Sequence, residues 1–415
     1  MTQTLARQSR NMTIVKALTY LMFAMFAMTT DSVGLIIPEV IRTFQLSLTA
    51  AGTFQYATMA GIAVAALLFG QLADRFGRRP TIIVGLVVFA AACFLMAAGE
   101  RFLVFAILLG LSGVAIGVFK TGALALIGDI SKSTAQHTAI MNMAEGFFGV
   151  GAIVGPAILT RLLTGGLPWQ WLYVIAGSIC VGLIVLATLV SYPESPKPAT
   201  DQPRRGTGRA LQNPYVLAFS AGAFLYVGVE AAIYVWMPTW FAGYSGRASA
   251  LAAYSISLFF LLRAAGRFLG AWLLGRVRWQ AALALFSGGI LTCFVLSITG
   301  GVEWAVYLLP LSGLFMSVIY PTLNSKGISC LPKSEHGAGA GVILFFTCAS
   351  AVMAPLAIGA VGDAFGNIVY GFWLATGFAV VLFAGAMLNW LVNPTQRVLD
   401  QFETTEYHQP IEALK

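Results

Sequence analysis

Apolar residues run along this chain in long stretches, broken by short polar joints, and they alternate with polar residues at neither the helical nor the strand period. A helix needs about 20 apolar residues to cross a hydrocarbon core. Stretches of that length fall near 14–37, 48–72, 80–99, 102–127, 138–163 and 168–191, and again near 215–242, 248–274, 280–299, 304–328, 338–361 and 368–392. Between the two sets lies a polar break from Ser191 to Pro214. The pattern predicts an all-α membrane protein of twelve transmembrane helices in two pseudo-symmetric six-helix halves. Its parts are an N-terminal bundle over 1–190, a linker over 191–214, a C-terminal bundle over 215–394 and a tail over 395–415.

Composition agrees. The 415 residues are 58% hydrophobic and only 10% charged, where a soluble domain carries about 25% charged residues to cover its surface. Net charge is +8, and the placement of the basic residues explains it. With both ends of the chain inside, the inner joints and tails hold Arg7, Arg10, Lys16, Arg75, Arg78, Arg79, Lys132, Lys197, Arg204, Arg205, Arg209, Arg276, Arg278, Lys333, Arg397 and Lys415. The outer joints hold Arg42, Arg101, Arg161 and Arg247. This asymmetry predicts a multi-pass protein of the cell (inner or plasma) membrane with both termini cytoplasmic, and it leaves no excess charge to assign to nucleic acid. The five cysteines are scattered singly and read as small apolar fillers. The polar, basic first twelve residues read as a retained tail, not a cleaved signal.

Internal echoes support two repeated halves. Span five contains Gly149-Val-Gly-Ala-Ile-Val-Gly-Pro156, and span eleven contains Ala349-Ser-Ala-Val-Met-Ala-Pro355. The joint after span two runs Gly70-Gln-Leu-Ala-Asp-Arg-Phe-Gly-Arg-Arg79, and span eight ends in Gly266-Arg-Phe-Leu-Gly-Ala-Trp-Leu-Leu-Gly-Arg276. Small residues let helices approach closely, and transporters are commonly built from repeats with the substrate held near the midplane.

The joint Gly70–Arg79 resembles the signature of the major facilitator superfamily. Gly70, Asp74, Arg75, Gly77, Arg78 and Arg79 carry the likeness, which implies a gate on the inner side, with Asp74 pairing a helix end or a neighbouring arginine. A basic joint obeying the positive-inside rule would account for the arginines but not for Asp74 and the two glycines. A narrower likeness follows. Asp31 in DSVGLIIPEVIRTFQLS, the run Phe224–Glu230, the run Phe315–Thr322 and Gly362–Asn367 are together similar to the fucose:proton symporter family. Two places depart from that family's pattern. Lys120 stands where the family has a span-four carboxylate, while Glu145 and Phe148 replace a glutamine and an asparagine of span five.

Each ionisable residue at membrane depth costs at least a few kcal/mol unless paired or hydrated, so each is a functional candidate. Asp31 is the expected proton carrier, against the alternative of a structural carboxylate bonded to Thr29 or Thr30. Lys120 and Glu145 lie at equal depth on consecutive antiparallel spans, an arrangement that suits a buried ion pair. Glu230 falls among Tyr226, Tyr234 and Trp236, which suits a sugar, though an outer aromatic belt has the same composition. Arg263 needs an anion, which Glu230, Asp31 or a substrate carboxylate or phosphate would supply. Lys326 is near the inner end of span ten and is expected to snorkel to headgroups. Gln55, Asn142, Tyr320 and Asn324 are further hydrogen-bonding candidates, and Pro321 is expected to kink span ten.

These features predict alternating-access symport of a small polar molecule, a monosaccharide or an acidic derivative or organic anion. Proton coupling would run through Asp31, Glu145 and Glu230. No cofactor is expected beyond the coupling H⁺, Na⁺ being the alternative ion, and the chain is expected to work as a monomer in the bilayer. Proton-antiport export of drugs or metabolites, and uniport, are the competing functions. Catalysis is not expected: His137, His336 and His408 fall in joints or the tail, and there is no GxSxG or HExxH motif.

Overall fold

The computed structural model describes residues 2–46, 48–193, 206–241 and 244–407; the side chains at 2–10, 38, 48–53, 55 and 407 lie outside the description. No strand occurs among the described residues. Hydrocarbon offers backbone groups no hydrogen bonds, so a helix, which satisfies them internally, is the conformation these apolar runs take. Among the described residues, eleven helices are long and apolar enough to cross a membrane. They are span one (Asn11–Ile37), span three (Arg78–Ala97), span four (Phe102–Asp129), span five (Thr134–Thr164), span six (Gln170–Leu189), span seven (Pro214–Phe241), span eight (Ser255–Leu273), span nine (Trp279–Gly300), span ten (Val302–Ile328), span eleven (Lys333–Ala364) and span twelve (Ile368–Val392). Span two, the helix Leu48–Phe69, contributes the shorter apolar segment Tyr56–Phe69 and completes twelve. Leu68, Leu103, Ile107, Leu189 and Leu391 are exposed, as side chains facing lipid can be.

Three spans are interrupted, each for a local reason. Span one breaks at Asp31–Ser32, where Ser32 Oγ donates 2.6 Å to the Met28 carbonyl and competes with the ladder. Span seven carries a π-helical stretch over Ala232–Trp236, starting two residues after Glu230. Span ten breaks at Ser317–Val318, between helices Val302–Met316 and Ile319–Ile328. The expected proline kink therefore lies one turn before Pro321, because Pro321 has no N–H for the carbonyl of Ser317.

The chain forms two compact units that do not follow its halves throughout. One comprises 1–131, 147–213 and 331–345; the other comprises 132–146, 214–330 and 346–415. The start of span five thus belongs with the second unit, and the start of span eleven with the first. In the first unit, span four packs on spans two and three, and span six on spans three and one. In the second, span ten packs on spans seven, eight and nine, and span twelve on seven and nine. Small residues set these crossings. A Cβ on Gly151 or Gly155 would collide with the backbone of Ala24 or Met28 in span one, and a Cβ on Gly113 with the Thr58 carbonyl in span two. The small-residue run of span five is thus a helix crossing.

We expect Gly155→Leu to lower the stability of the purified protein by at least the ~1–3 kcal/mol typical of overpacking. Gly182→Leu, at a position where a Cβ would meet nothing within 4 Å, should leave the thermal melt in detergent unchanged.

Candidate functional site

In the first unit, the joint Gly70–Arg79 is tied down by its own motif. Asp74 sits on the short helix Leu72–Phe76. Its carboxylate accepts from the Gly337 N–H (3.0 Å) and the Ala338 N–H (2.8 Å), in the first turn of the helix His336–Ala364. Those donors have no partner inside their own helix, so an acid there satisfies both and complements the helix dipole. Arg78 is fully buried. It bonds Asp74 (2.5 Å), Asp129 at the end of span four (2.8 Å) and the carbonyls of Ala73 (2.8 Å) and Lys333 (2.5 Å). Arg79 donates to the Thr188 carbonyl (2.6 Å), and Arg75 is exposed. The two glycines have separate reasons. Gly70 lies against the backbone of Gly337 and Gly341 with no room for a Cβ. Gly77 has φ 96°, a conformation that L side chains rarely adopt. Asp129 is a partner that sequence reasoning misses; its only signal is an acid at the end of an apolar span.

The first unit also holds Asp31 and Lys120. Asp31 is exposed at the break in span one and accepts from Thr30 Oγ1 (2.8 Å), so it lies at a helix interruption and not within a continuous apolar turn. Lys120 lies over the Phe148 ring at 4.6 Å and the Phe23 ring at 5.7 Å, both within cation–π range. Its ammonium is therefore held by aromatic faces, one of them the Phe148 that departs from the family pattern.

In the second unit two arginines, one helical turn apart on span eight, each meet a carboxylate. Arg263 pairs with Glu230 of span seven. Arg267, fully buried, donates 2.9 Å to the Glu145 carbonyl and lies 3.4 Å from its carboxylate. The expected Lys120–Glu145 pair is corrected accordingly: Glu145 belongs with Arg267, because equal depth on adjacent spans does not specify which helix face a side chain occupies. Arg267 stands in the span-eight echo without being marked there as a partner. Its spacing of four from Arg263, which puts both on one helix face, is the available signal. The Tyr226 hydroxyl donates 3.3 Å to Glu230, and the Tyr226 ring stacks on Tyr320 at 6.2 Å. Asn324 donates 3.3 Å to the Tyr320 hydroxyl, and Asn142 donates 2.9 Å to the Thr138 carbonyl. Tyr234 is half-buried on the π-helical stretch, while Trp236 donates 3.0 Å to the Pro355 carbonyl. Arg267 Nε, Asn142 Oδ1, Asn324 Oδ1 and Thr322 Oγ1 are buried with no hydrogen-bond partner. Lys326 does not snorkel: it is buried, 5.5 Å from the Trp279 ring. The side chain of Gln55 lies outside the described residues.

Among the described residues, eleven helices long and apolar enough to cross a membrane, a shorter twelfth and ion pairs buried among them define a multi-pass membrane protein. The family description "Major Facilitator Superfamily" matches residues 19–355, and the chain belongs to that superfamily. A glucose/galactose transporter of Brucella abortus biovar 1 (strain 9-941) is 25% identical over 83% of this chain and 87% of its own length. The L-fucose-proton symporter of Escherichia coli (strain K12) is 23% identical over 88% and 90%. Multidrug resistance protein D of the same strain is 25% identical over 71% and 75%. Among solved structures, the E. coli fucose:proton symporter superposes with TM-score 0.77 at 21% identity, covering 90% of this chain and 98% of that one. A transporter of the superfamily in an outward conformation gives 0.78 at 20%, covering 91% and 99%.

Removing one member of a buried ion pair leaves the other uncompensated, typically at a cost of ~3–5 kcal/mol. We expect Arg267→Gln alone to destabilise by about that much in detergent melts, and Glu145→Gln/Arg267→Gln by clearly less than the sum of the single variants.

Asp74 lies outside the spans and gives a pH dependence. Burial pushes its carboxyl up from 3.8 to about 6, against the lowering by Arg78 and by the Gly337 and Ala338 N–H groups. The native state then holds the proton more tightly than the unfolded chain does. Asp74's contribution to stability is thus full below about 4 and declines as pH rises through about 6. Relative to Asp74→Asn, the wild type should lose about 3 kcal/mol over that window, read as a pH-dependent gap in melting temperature.

Proposed function

We propose that the protein is a proton-coupled symporter of a neutral monosaccharide, working by alternating access in the cell membrane as a monomer, with both termini cytoplasmic. The matched charges of the second unit carry this reading. On sequence alone, Arg263 and Lys120 point to an anionic substrate. With Arg263 on Glu230, Arg267 on Glu145 and Lys120 on aromatic rings, no cation of this set requires a substrate anion. The stacked Tyr226 and Tyr320 suit the apolar face of a sugar ring, and the unpartnered Asn142, Asn324, Thr322 and Arg267 atoms suit hydroxyl groups or water. The sugar and sugar–proton transporters among the relatives support the same class.

In this proposal Asp31 takes up and releases the coupling proton at the break in span one. Glu230 and Glu145 carry the response: protonating either would free its arginine and change which partners spans seven, eight and five prefer. Gly70, Asp74, Arg75, Gly77, Arg78 and Arg79 form the cytoplasmic gate. Drug or metabolite export by proton antiport is the second reading, favoured by the likeness to multidrug resistance protein D.

In proteoliposomes with an imposed inward proton gradient, neutral hexoses should accumulate at least tenfold over the no-gradient control, and hexuronates should not. Asp31→Asn should lose accumulation while keeping sugar counterflow. Preference for the hexuronate would restore the anion reading. Accumulation that follows Na⁺, or ignores both gradients, would remove proton coupling.

A further inference from the structure

The starts of spans five and eleven are built alike. Each carries a buried histidine docked on the end of another span: His137 Nδ1 lies 3.0 Å from Ser329 Oγ after span ten, and His336 packs against Gly128 near the end of span four. Each also leaves first-turn N–H groups that need an acceptor. For span eleven, Asp74 of the joint after span two supplies it. Span five's start belongs to the second unit, where the joint after span eight would be the matching source.

That joint has no acid to give. Gly70 touches Gly341 five residues after His336, and Gly270 touches Asn142 five residues after His137. The two glycines are therefore equivalent, and the position four residues on is Asp74 in one joint and Leu274 in the other. Leu274 is buried and packs with Ala282 and Val318.

The acid comes instead from the C-terminal segment. After span twelve the chain turns at Asn393, which has φ 48°, and forms the helix Gln396–Phe402 followed by Glu403–Tyr407. Glu403 accepts 2.8 Å from the N–H of Thr134, the first residue of the span-five helix. Side-chain hydrogen bonds anchor the segment: Gln280 donates 3.2 Å to Asn393, Asn393 donates 2.7 Å to Gln396, and Gln396 donates 2.6 Å to Asp400. Thr134, Leu274, Lys326 and Glu403 line one cavity of about 220 Å³, so the carboxylate and position 274 face the same space.

We propose that residues 396–407 are a strap in which Glu403 replaces the acid missing from the second repeat, holding the start of span five docked against span ten. The strap keeps one conformation of the transport cycle populated, and the cycle must release it. This inference rests on transport by alternating access and not on the identity of the substrate. Local capping remains when the strap lets go, because Ser133 Oγ accepts from Gln136 N–H (3.0 Å) and the Gln136 side chain accepts from Lys132 N–H (2.6 Å). The helix can then undock without unravelling.

Hydrogen–deuterium exchange of the full-length protein in detergent tests this without substrate. In Glu403→Ala, amides over 133–142 should exchange about tenfold faster, with those over 336–345 unchanged. Asp74→Ala should give the reverse pattern. Wild-type exchange over 133–142 in Glu403→Ala would overturn the strap, as would equal acceleration over both stretches, which would mean general loosening. If Glu403→Ala does not accumulate, Glu403→Gln keeps an acceptor oxygen without the charge. It should accelerate 133–142 about threefold, and a wild-type rate there would equally overturn the proposal. Thr405→Ala, exposed on the same segment, is the control and should match the wild type; acceleration there equal to that of Glu403→Ala would also reject a specific role for Glu403.

Discussion

A guanidinium buried among apolar helices has no water to fall back on, and the second unit is arranged around that fact. Arg267 is fully buried, and its charge and one of its hydrogen-bond donors are met by the side chain and the main chain of Glu145. This contact seats the start of span five on span eight. One turn away, Arg263 does the same for span seven through Glu230. Because a lone buried charge is far more costly than a paired one, three helices are held in register by two pairs. Any change of protonation at either carboxylate alters which helix contacts are tolerable. In the proposed cycle the same constraint makes these residues both structural and mechanistic.

Helix ends pose the complementary problem, since their first-turn N–H groups are unsatisfied by the helix itself. Span eleven is answered by Asp74 and span five by Glu403. The first solution comes from a joint inside the repeat, and the second is brought from beyond the last span. Close approach at these starts is permitted by glycines. Gly70 and Gly341 bring two backbones together where any Cβ would collide, and the acid can reach the helix end only because they do. In span five the mirrored position is Asn142, and in the same unit Leu274, Lys326 and Glu403 line a cavity. The two repeats thus perform one task with different residues.

The span count and the helical class were legible because hydrocarbon length and backbone satisfaction act on each segment alone. The run of small residues in span five likewise announced a close crossing, and the motif after span two announced an acid that meets a helix end, because glycine and acid spacing encode local geometry. Asp31, Glu145, Glu230 and Arg263 stood out by the cost of charge in an apolar run. Glu230 was among the anions offered to Arg263, and Thr30 among the hydroxyls offered to Asp31, but the partner of Glu145 was not legible. Glu145 looked suited to Lys120 by depth, yet depth leaves the azimuth of a side chain undetermined. Lys120 instead faces Phe148 and Phe23, and Lys326, whose place near a span end suits a snorkelling side chain, is buried beside Trp279.

What the sequence by itself determined, then, is a twelve-helix membrane protein with costly charges inside its apolar runs, since those properties follow from composition along one helix at a time. What only the tertiary structure decided is which charge meets which, that the starts of spans five and eleven each belong to the other compact unit, and that Glu403 closes a helix end far away in the chain. Pairing in a hydrocarbon setting depends on which faces of separate helices meet. That is a property of packing, and no single helix encodes it.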